Sequence, residues 1–311
     1  MASSTNTTSA DLPKSLVAFR QIFPILIFVF GAIGNTLTVL VLRKKAYTGI
    51  STCYYMKALA ISDNFVMVML LFRWIDNLPG DTIVHGDMFC KLYFFFVRLG
   101  FSTSAWCIMA ITIDRFIVVR YPFRAKILCS IYRTRITLVA IVSIHVITHL
   151  PYFWRYADTN AVTLSGRCPY DLPKDFSTVY QMLRIILVDR LLPWVVTLAF
   201  TVVTTVYIYR GNKKSTKDLR ANRKEKTSIR RVTSMSLSVA WVFFILTFPT
   251  SIFETIRILS NESSVTLFLY ELFVYFLYLN SAINFYLYLI VSYKFRDDFK
   301  RSVVRCFTFW S

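Results

Sequence analysis

Residues 16–45 read LVAFRQIFPILIFVFGAIGNTLTVLVLRKK, an apolar run from Leu16 to Leu42 that stops on Arg43, Lys44 and Lys45. A helix needs about 20 mostly apolar residues to cross the roughly 30 Å hydrocarbon core of a bilayer, and this run supplies them. Six further stretches have the same character: Tyr54 to Trp74, Phe89 to Val119, Ile136 to Trp154, Leu183 to Tyr209, Val232 to Leu259 and Val265 to Val291. The fourth of the seven is the weakest because it carries His145 and His149. The sequence therefore predicts an all-α fold, a bundle of seven membrane-spanning helices.

Composition agrees. Of the 311 residues, 56% are hydrophobic and 17% aromatic, above the roughly 45–50% apolar content of soluble domains. The net charge of +19 would by itself suit nucleic acid, anionic lipid or an acidic partner. Its placement decides among them. Lys and Arg cluster at Arg43–Lys45, at Arg120, Arg124, Lys126, Arg133 and Arg135, throughout Arg210 to Arg231, and at Lys294, Arg296, Lys300, Arg301 and Arg305. Basic loops stay in the cytoplasm, so these runs and the C-terminus share that side, and the N-terminus is expected outside a multi-pass protein of the plasma membrane. The N-x-S/T acceptors, Asn6-Thr7-Thr8 and Asn261-Glu262-Ser263, fall on the outer side in this orientation.

Met1 to Lys14 is polar and lacks the apolar core of a cleaved signal, so the first span is expected to serve as the insertion signal. Residues 1–15 then form an outer tail, 16–291 the seven-span domain, and 292–311 a short cytoplasmic end. Within that end, Arg296 to Arg305 reads as an amphipathic eighth helix at the inner membrane surface, with Phe299, Val303 and Cys306 on one side. Cys306 is a palmitoylation candidate. The six cysteines, Cys53, Cys90, Cys107, Cys129, Cys168 and Cys306, show no metal-ligand spacing. No repeat relates the two halves, which argues against a duplicated transporter.

A charge inside a bilayer is costly and needs a reason. Asp63 is such a charge, in the middle of the second span. Ser104, Asn280, Ser281 and Asn284 are further polar groups, with Asn280 and Asn284 one turn apart. Facing Asp63, they form either a hydrated pocket for a small cation or an interhelical hydrogen-bond network without one. At the cytoplasmic end of the third span stands Asp114-Arg115-Phe116. There an adjacent carboxylate can hold the arginine at rest until helix movement releases it to a partner.

Over essentially its whole length the chain resembles the rhodopsin-like (class A) G-protein-coupled receptors, and among them neuropeptide receptors of invertebrate type. The resemblance rests on Gly34-Asn35, Asp63, Cys90, Asp114-Arg115-Phe116, Cys168, Pro193, Phe243, Pro249, the run Asn280-Ser-Ala-Ile-Asn284-Phe-Tyr-Leu-Tyr288, and Phe295, in the family's order and spacing. It implies a Cys90–Cys168 disulfide, on the side where disulfides persist. It also implies an allosteric sodium ion at Asp63, Ser104, Asn280, Ser281 and Asn284, with no other cofactor. Arg115 would engage a heterotrimeric G protein, Tyr288 would turn inward on activation, and Pro193 and Pro249 would let their helices bend. The sequence departs from the pattern at Thr201, at Thr247, where an aromatic residue is expected just before Pro249, at Phe285, which replaces a proline, and in a fourth span without its tryptophan.

Two ligand classes lack their chemistry. Val97 stands where amine receptors of the family carry an aspartate, and Tyr278 where opsins carry the retinal lysine. The outer half instead mixes charge and aromatics: Arg73, Trp74, Asp76, Arg98, Arg184, Asp189, Arg190, Glu254, Arg257 and Glu271. Glu254, Glu271 and Asp189 are expected to face cationic groups of a peptide, with Arg98 and Trp74 on the floor and Arg257 a turn from Glu254. The alternative is that these charges pair with one another. His145 and His149 have the i, i+4 spacing of a metal pair, but no acidic third ligand follows, and two polar residues near a helix end account for them better. No phosphate loop, H-E-x-x-H or G-x-S-x-G occurs, so enzyme function is not expected. The reading is a peptide-activated receptor. The alternatives are the same fold sensing a small molecule or lipid, a constitutive or decoy receptor, and more distantly a transporter or channel.

Overall fold

The computed structural model describes residues 14–76, 87–151, 153, 183–214, 223–259 and 264–308. Among them, seven helices are long and apolar enough to cross a membrane. They are α1 (Lys14–Leu42), α2 (Ser51–Asp76), α3 (Asp87–Arg120), α5 (Ile131–His149), α6 (Leu192–Lys214, preceded by a π-helical segment, Leu183–Leu191), α7 (Arg223–Leu259) and α8 (Ser264–Val291). Two shorter helices lie outside the crossings, α4 (Pro122–Leu128) after the third span and α9 (Tyr293–Thr308) after the seventh. No strand occurs among the described residues.

Several boundaries follow from single residues. Ser130 precedes the fourth span with its side chain accepting from the Arg133 N–H, so that span starts five residues before the expected Ile136. It stops as an α-helix at His149, short of the expected Trp154, because Pro151 lacks the N–H the next turn needs. The short α4 was not expected; Pro122 at its first turn starts it, since a proline there forfeits only a hydrogen bond the helix does not use. In the fifth span, Pro193 has no N–H for the carbonyl four residues back, and the preceding turn widens to a π-helix.

The third span is the hub, packing on α2, α5, α6 and α7, while α1 closes the ring against α2 and α8. Among the described residues, two large apolar clusters fill most of the interior, with a smaller one around Phe95. An inner one gathers Met56, Leu59, Ile108, Ile111, Phe243, Phe285, Tyr288 and Phe295; the other gathers Met67, Leu70, Val97, Tyr275 and Tyr278. The outward faces stay apolar: Ile147 is 66% and Ile290 71% exposed, as expected of side chains meeting lipid.

Small residues set the closest helix approaches. A Cβ on Gly31 would overlap Met67 Sδ and sit 2.9 Å from Ala282 Cβ, so α1, α2 and α8 meet at that hydrogen atom. Gly31→Ala is expected to destabilise the bundle by about 1–3 kcal/mol, read as a lower melting midpoint in detergent. An unchanged midpoint would show that the Met67 side chain and the α8 backbone yield.

The terminal helix is anchored at both faces. Ser292 Oγ accepts from the Phe295 N–H, and Phe295 is fully buried. Tyr47 Oη donates to Asp298 Oδ2 at 3.0 Å, and Lys44 Nζ reaches the Asp298 carbonyl. Burial and the Asp298 carboxylate raise the Tyr47 hydroxyl well above its ordinary range, so it remains a donor.

Candidate functional site

Near the C-terminal end of α3 the Asp114 carboxylate is surrounded. Ser51 Oγ donates to Oδ1 at 2.6 Å, Thr52 Oγ1 donates to Oδ2, and Arg115 gives Oδ2 both Nη2 at 2.7 Å and Nε at 3.3 Å. Arg115 is 3% and Asp114 5% exposed. A buried guanidinium needs a counter-charge, and this carboxylate, held by two hydroxyls of α2, supplies it. Ser51 and Thr52 escaped the sequence reading because hydroxyls at a helix start read as caps. Phe116 turns the other way, its ring 5.0 Å from Phe200 and 6.4 Å from Tyr207 on the fifth span.

Asp63 lies halfway through the bundle and is fully buried. Ser104 Oγ donates to Oδ1 and Asn284 Nδ2 to Oδ2, each at 2.8 Å, so the second, third and seventh spans meet on one carboxylate. Asn280 Oδ1 is buried without a hydrogen-bond partner, the Ser281 side chain interacts with the Asp63 carboxylate, and Asn35 Nδ2 donates to the Ser281 carbonyl at 3.0 Å. A buried carboxylate with hydroxyl and amide oxygens beside it is hard-oxygen chemistry of the kind a small cation takes. The residues present fit a sodium ion.

Tyr288 and Phe285 are buried under Phe295, ring centroids 5.6 and 5.9 Å away, which joins the seventh span to α9. Phe285 thus takes an aromatic packing place rather than leaving a gap. Beside Pro193 and Pro249 a hydrogen bond joins the fifth and sixth spans: Trp194 Nε1 donates to Thr247 Oγ1 at 2.8 Å, and Thr247 Oγ1 donates to the Phe243 carbonyl at 2.7 Å. Phe243 is buried in the inner cluster.

Of the outer residues, Val97 is buried against Tyr275 and Tyr278, and the Tyr278 hydroxyl stands 3.5 Å from that of Tyr93. Trp74 Nε1 donates to the Gln21 carbonyl at 2.7 Å, tying the second span to the first. Arg98 is half-buried on the third span. Asp189 is buried, accepting from Ser102 Oγ at 2.9 Å with His149 Nε2 at 3.9 Å, and the His149 Nδ1 sits 2.6 Å from the His145 carbonyl. The two histidines therefore line the seam of the third, fourth and fifth spans. Ser102 and His149 were not read from the sequence as partners of Asp189. Their own spans give no signal of it, and in the fifth span the π-helical turn before Pro193 shifts which residues face inward.

Glu254, Arg257, Glu271, Cys90 and Cys306 fall on described helices, but their side chains lie outside the described set. Cys168, Asn6 and Asn261 lie outside the described residues altogether.

Comparison with known proteins agrees with this geometry. Residues 34–288 match the family model described as 7 transmembrane receptor (rhodopsin family). The chain is 29% identical over 202 residues to the human C-C chemokine receptor type 1, covering 63% of this chain and little more than half, 56%, of that receptor. It is 24% identical over 279 residues to galanin receptor 2b of Danio rerio, covering 89% of this chain and 72% of that receptor. It is 26% identical over 330 residues to the thyrotropin-releasing hormone receptor of Mus musculus, covering 93% of this chain and 81% of that receptor. Those are signalling receptors rather than enzymes. A family match that runs from the first span to Tyr288, on a bundle of seven crossings with the Asp63 and Asp114–Arg115 clusters inside it, makes this multi-pass membrane protein a member of the rhodopsin family of seven-transmembrane receptors.

Proposed function

We propose that the protein is a receptor for an extracellular peptide and that it activates a heterotrimeric G protein through Arg115, with its N-terminus outside the cell. The observation that carries this is the buried Asp114–Arg115 pair, clasped by Ser51 and Thr52 at the end ringed by the basic runs. An arginine stored against its neighbour has coordination to offer once the spans part, and a G protein is the family's partner there. The relatives named for a chemokine, galanin, thyrotropin-releasing hormone and somatostatin support a peptide as the outer ligand. Mixed outer charges on Glu254, Arg257 and Glu271 suit a peptide with a cationic or amidated end. A ligand shifts such a bundle only by binding the active arrangement better than the resting one.

Asp63, Ser104, Asn280, Ser281 and Asn284 would hold a sodium ion, which supplies the counter-charge the buried carboxylate lacks. These residues link three spans, so they are placed to favour the arrangement in which those spans converge. The Cys90–Cys168 disulfide, glycans on Asn6 and Asn261, and a palmitoyl chain on Cys306 belong to the same proposal.

The test is expression in cells with calcium and cAMP readouts against a panel of amidated neuropeptides. At least one peptide is expected to give a saturable response that disappears in Arg115→Ala. Responses to lipids or odorants alone, or an ion current without G protein, would overturn the peptide reading.

A further inference from the structure

Trp194 follows Pro193 directly, at the point where the fifth span recovers from its π-helical turn. Its indole reaches across to the sixth span and touches one face of it in three places. The N–H donates to Thr247 Oγ1 at 2.8 Å, and the ring lies 5.8 Å from that of Phe244 and 5.4 Å from that of Phe248. Phe244 and Phe248 stack on each other at 5.6 Å, so indole and phenyl rings form one slab along α7. That stretch is where α7 is weakest, because Pro249 cannot donate to the carbonyl four residues back.

The hydroxyl at 247 is what makes the contact specific. A threonine hydroxyl has one proton to give and lone pairs to receive, and here it does both: it accepts from Trp194 and donates to the Phe243 carbonyl at 2.7 Å. The chain of bonds runs from the fifth span, through Thr247, to the backbone beside Phe243, whose ring belongs to the inner core. An indole at 247 would have a donor and no acceptor to meet Trp194. Ser251 Oγ donates to the Thr247 carbonyl at 3.1 Å, and Thr250 Oγ1 donates to the Phe273 carbonyl of the seventh span at 2.7 Å. Beside the proline, Thr250 thus binds α7 to α8, while Thr247 and Ser251 bond back to carbonyls of their own helix. The half on the cytoplasmic side is held at this level by Trp194.

We infer that Trp194 is the positioning residue that keeps the sixth span in its resting arrangement, acting through the Thr247 hydroxyl. The aromatic ring absent from position 247 is supplied by the neighbouring helix, and the switch takes the form of an interhelical hydrogen bond that the cytoplasmic half of α7 must break to swing outward. The inference rests on the chain being a receptor that switches between two arrangements, but not on the identity of its ligand or G protein.

The experiment uses the full chain in lipid nanodiscs, without ligand or G protein, with spin labels on noncanonical residues at exposed positions 132 and 234 on the fourth and sixth spans. The distance distribution gives the ratio of outward to inward sixth span. Losing one net hydrogen bond of the resting arrangement is expected to raise that ratio about five-fold in Trp194→Phe and in Thr247→Val. Thr247→Ser keeps the acceptor and is expected to match the native chain. The Trp194→Phe/Thr247→Val double variant is expected to shift no further than either single one. Additive shifts, a Thr247→Ser chain that behaves like Thr247→Val, or unchanged distributions in folded single variants would each overturn the inference. Should Trp194→Phe fail to reconstitute, Thr247→Val against Thr247→Ser reads the same bond from the other side. Failure of the peptide panel leaves this measurement intact, and a null distance result leaves the peptide reading intact.

Discussion

Asp114→Ala is expected to raise ligand-independent G-protein turnover about tenfold or more, measured as nucleotide exchange in membranes without added ligand. The variant leaves the Arg115 guanidinium in a pocket where it is 3% exposed, beside two hydroxyls that are poor substitutes for a carboxylate. Removing one partner of a buried ion pair costs roughly 3–5 kcal/mol, most of it the penalty on the charge left behind. That charge recovers solvation or a new partner by moving out of the pocket, toward the G protein proposed to bind there. If a third of the penalty is relieved in this way, the equilibrium moves by about a factor of ten, since each 1.4 kcal/mol is tenfold. The control is Asp114→Ala combined with Arg115→Ala, expected to fall back to background turnover because the freed group is gone. Elevated turnover in the double variant would mean that G-protein contact does not run through Arg115. Ser51→Ala and Thr52→Val are expected to act in the same direction and less, each loosening one of the hydroxyls on the carboxylate.

The second large effect is on stability. Asp63→Ala removes the acceptor for both Ser104 Oγ and Asn284 Nδ2, and the partner of the Ser281 side chain, in a core that already holds an unpartnered oxygen on Asn280. Each buried donor left unsatisfied costs about 1–3 kcal/mol, so a loss on the order of 2–4 kcal/mol is expected, read as a lowered melting midpoint of the purified chain. Asp63→Asn keeps an acceptor and is expected to lose about half as much. Replacing sodium by choline is expected to lower the midpoint of the native chain and to leave Asp63→Ala unmoved. An Asp63→Ala chain that melts with the native one would remove this network from the structural account.

How far the sequence carried depends on what kind of fact each residue expresses. The seven crossings were legible because a run of apolar residues of fixed length is a local property. Asp63, Asp114 and Arg115 stood out because charge is anomalous in such runs. The partners were not legible for the opposite reason: Ser51, Thr52, Ser102 and His149 are ordinary in their own spans, and only packing brings them to a carboxylate on another helix. Asp189 sits in the π-helical turn before Pro193, where a reading at 100° per residue loses its phase. Buried against Ser102 and His149, it now belongs to the seam between spans as well as to the outer half of the chain. Thr247 read as a missing aromatic, and its meaning changes once Trp194 is seen to donate to it.

Contacts between early and late parts of the chain carry a consequence for biosynthesis. Asn35 donates to the carbonyl of Ser281, 246 residues later, and Tyr47 bonds to Asp298, 251 residues later. At roughly 5–20 residues per second a ribosome needs about 12–50 s to make the first of those intervals. Throughout that time the Asn35 amide, fully buried in the finished bundle, waits in the membrane for a partner that has not been translated. The nascent first span thus enters the membrane with a polar group whose partner comes only with the seventh, as does the second span with Asp63, whose carboxylate accepts from Asn284, 221 residues later.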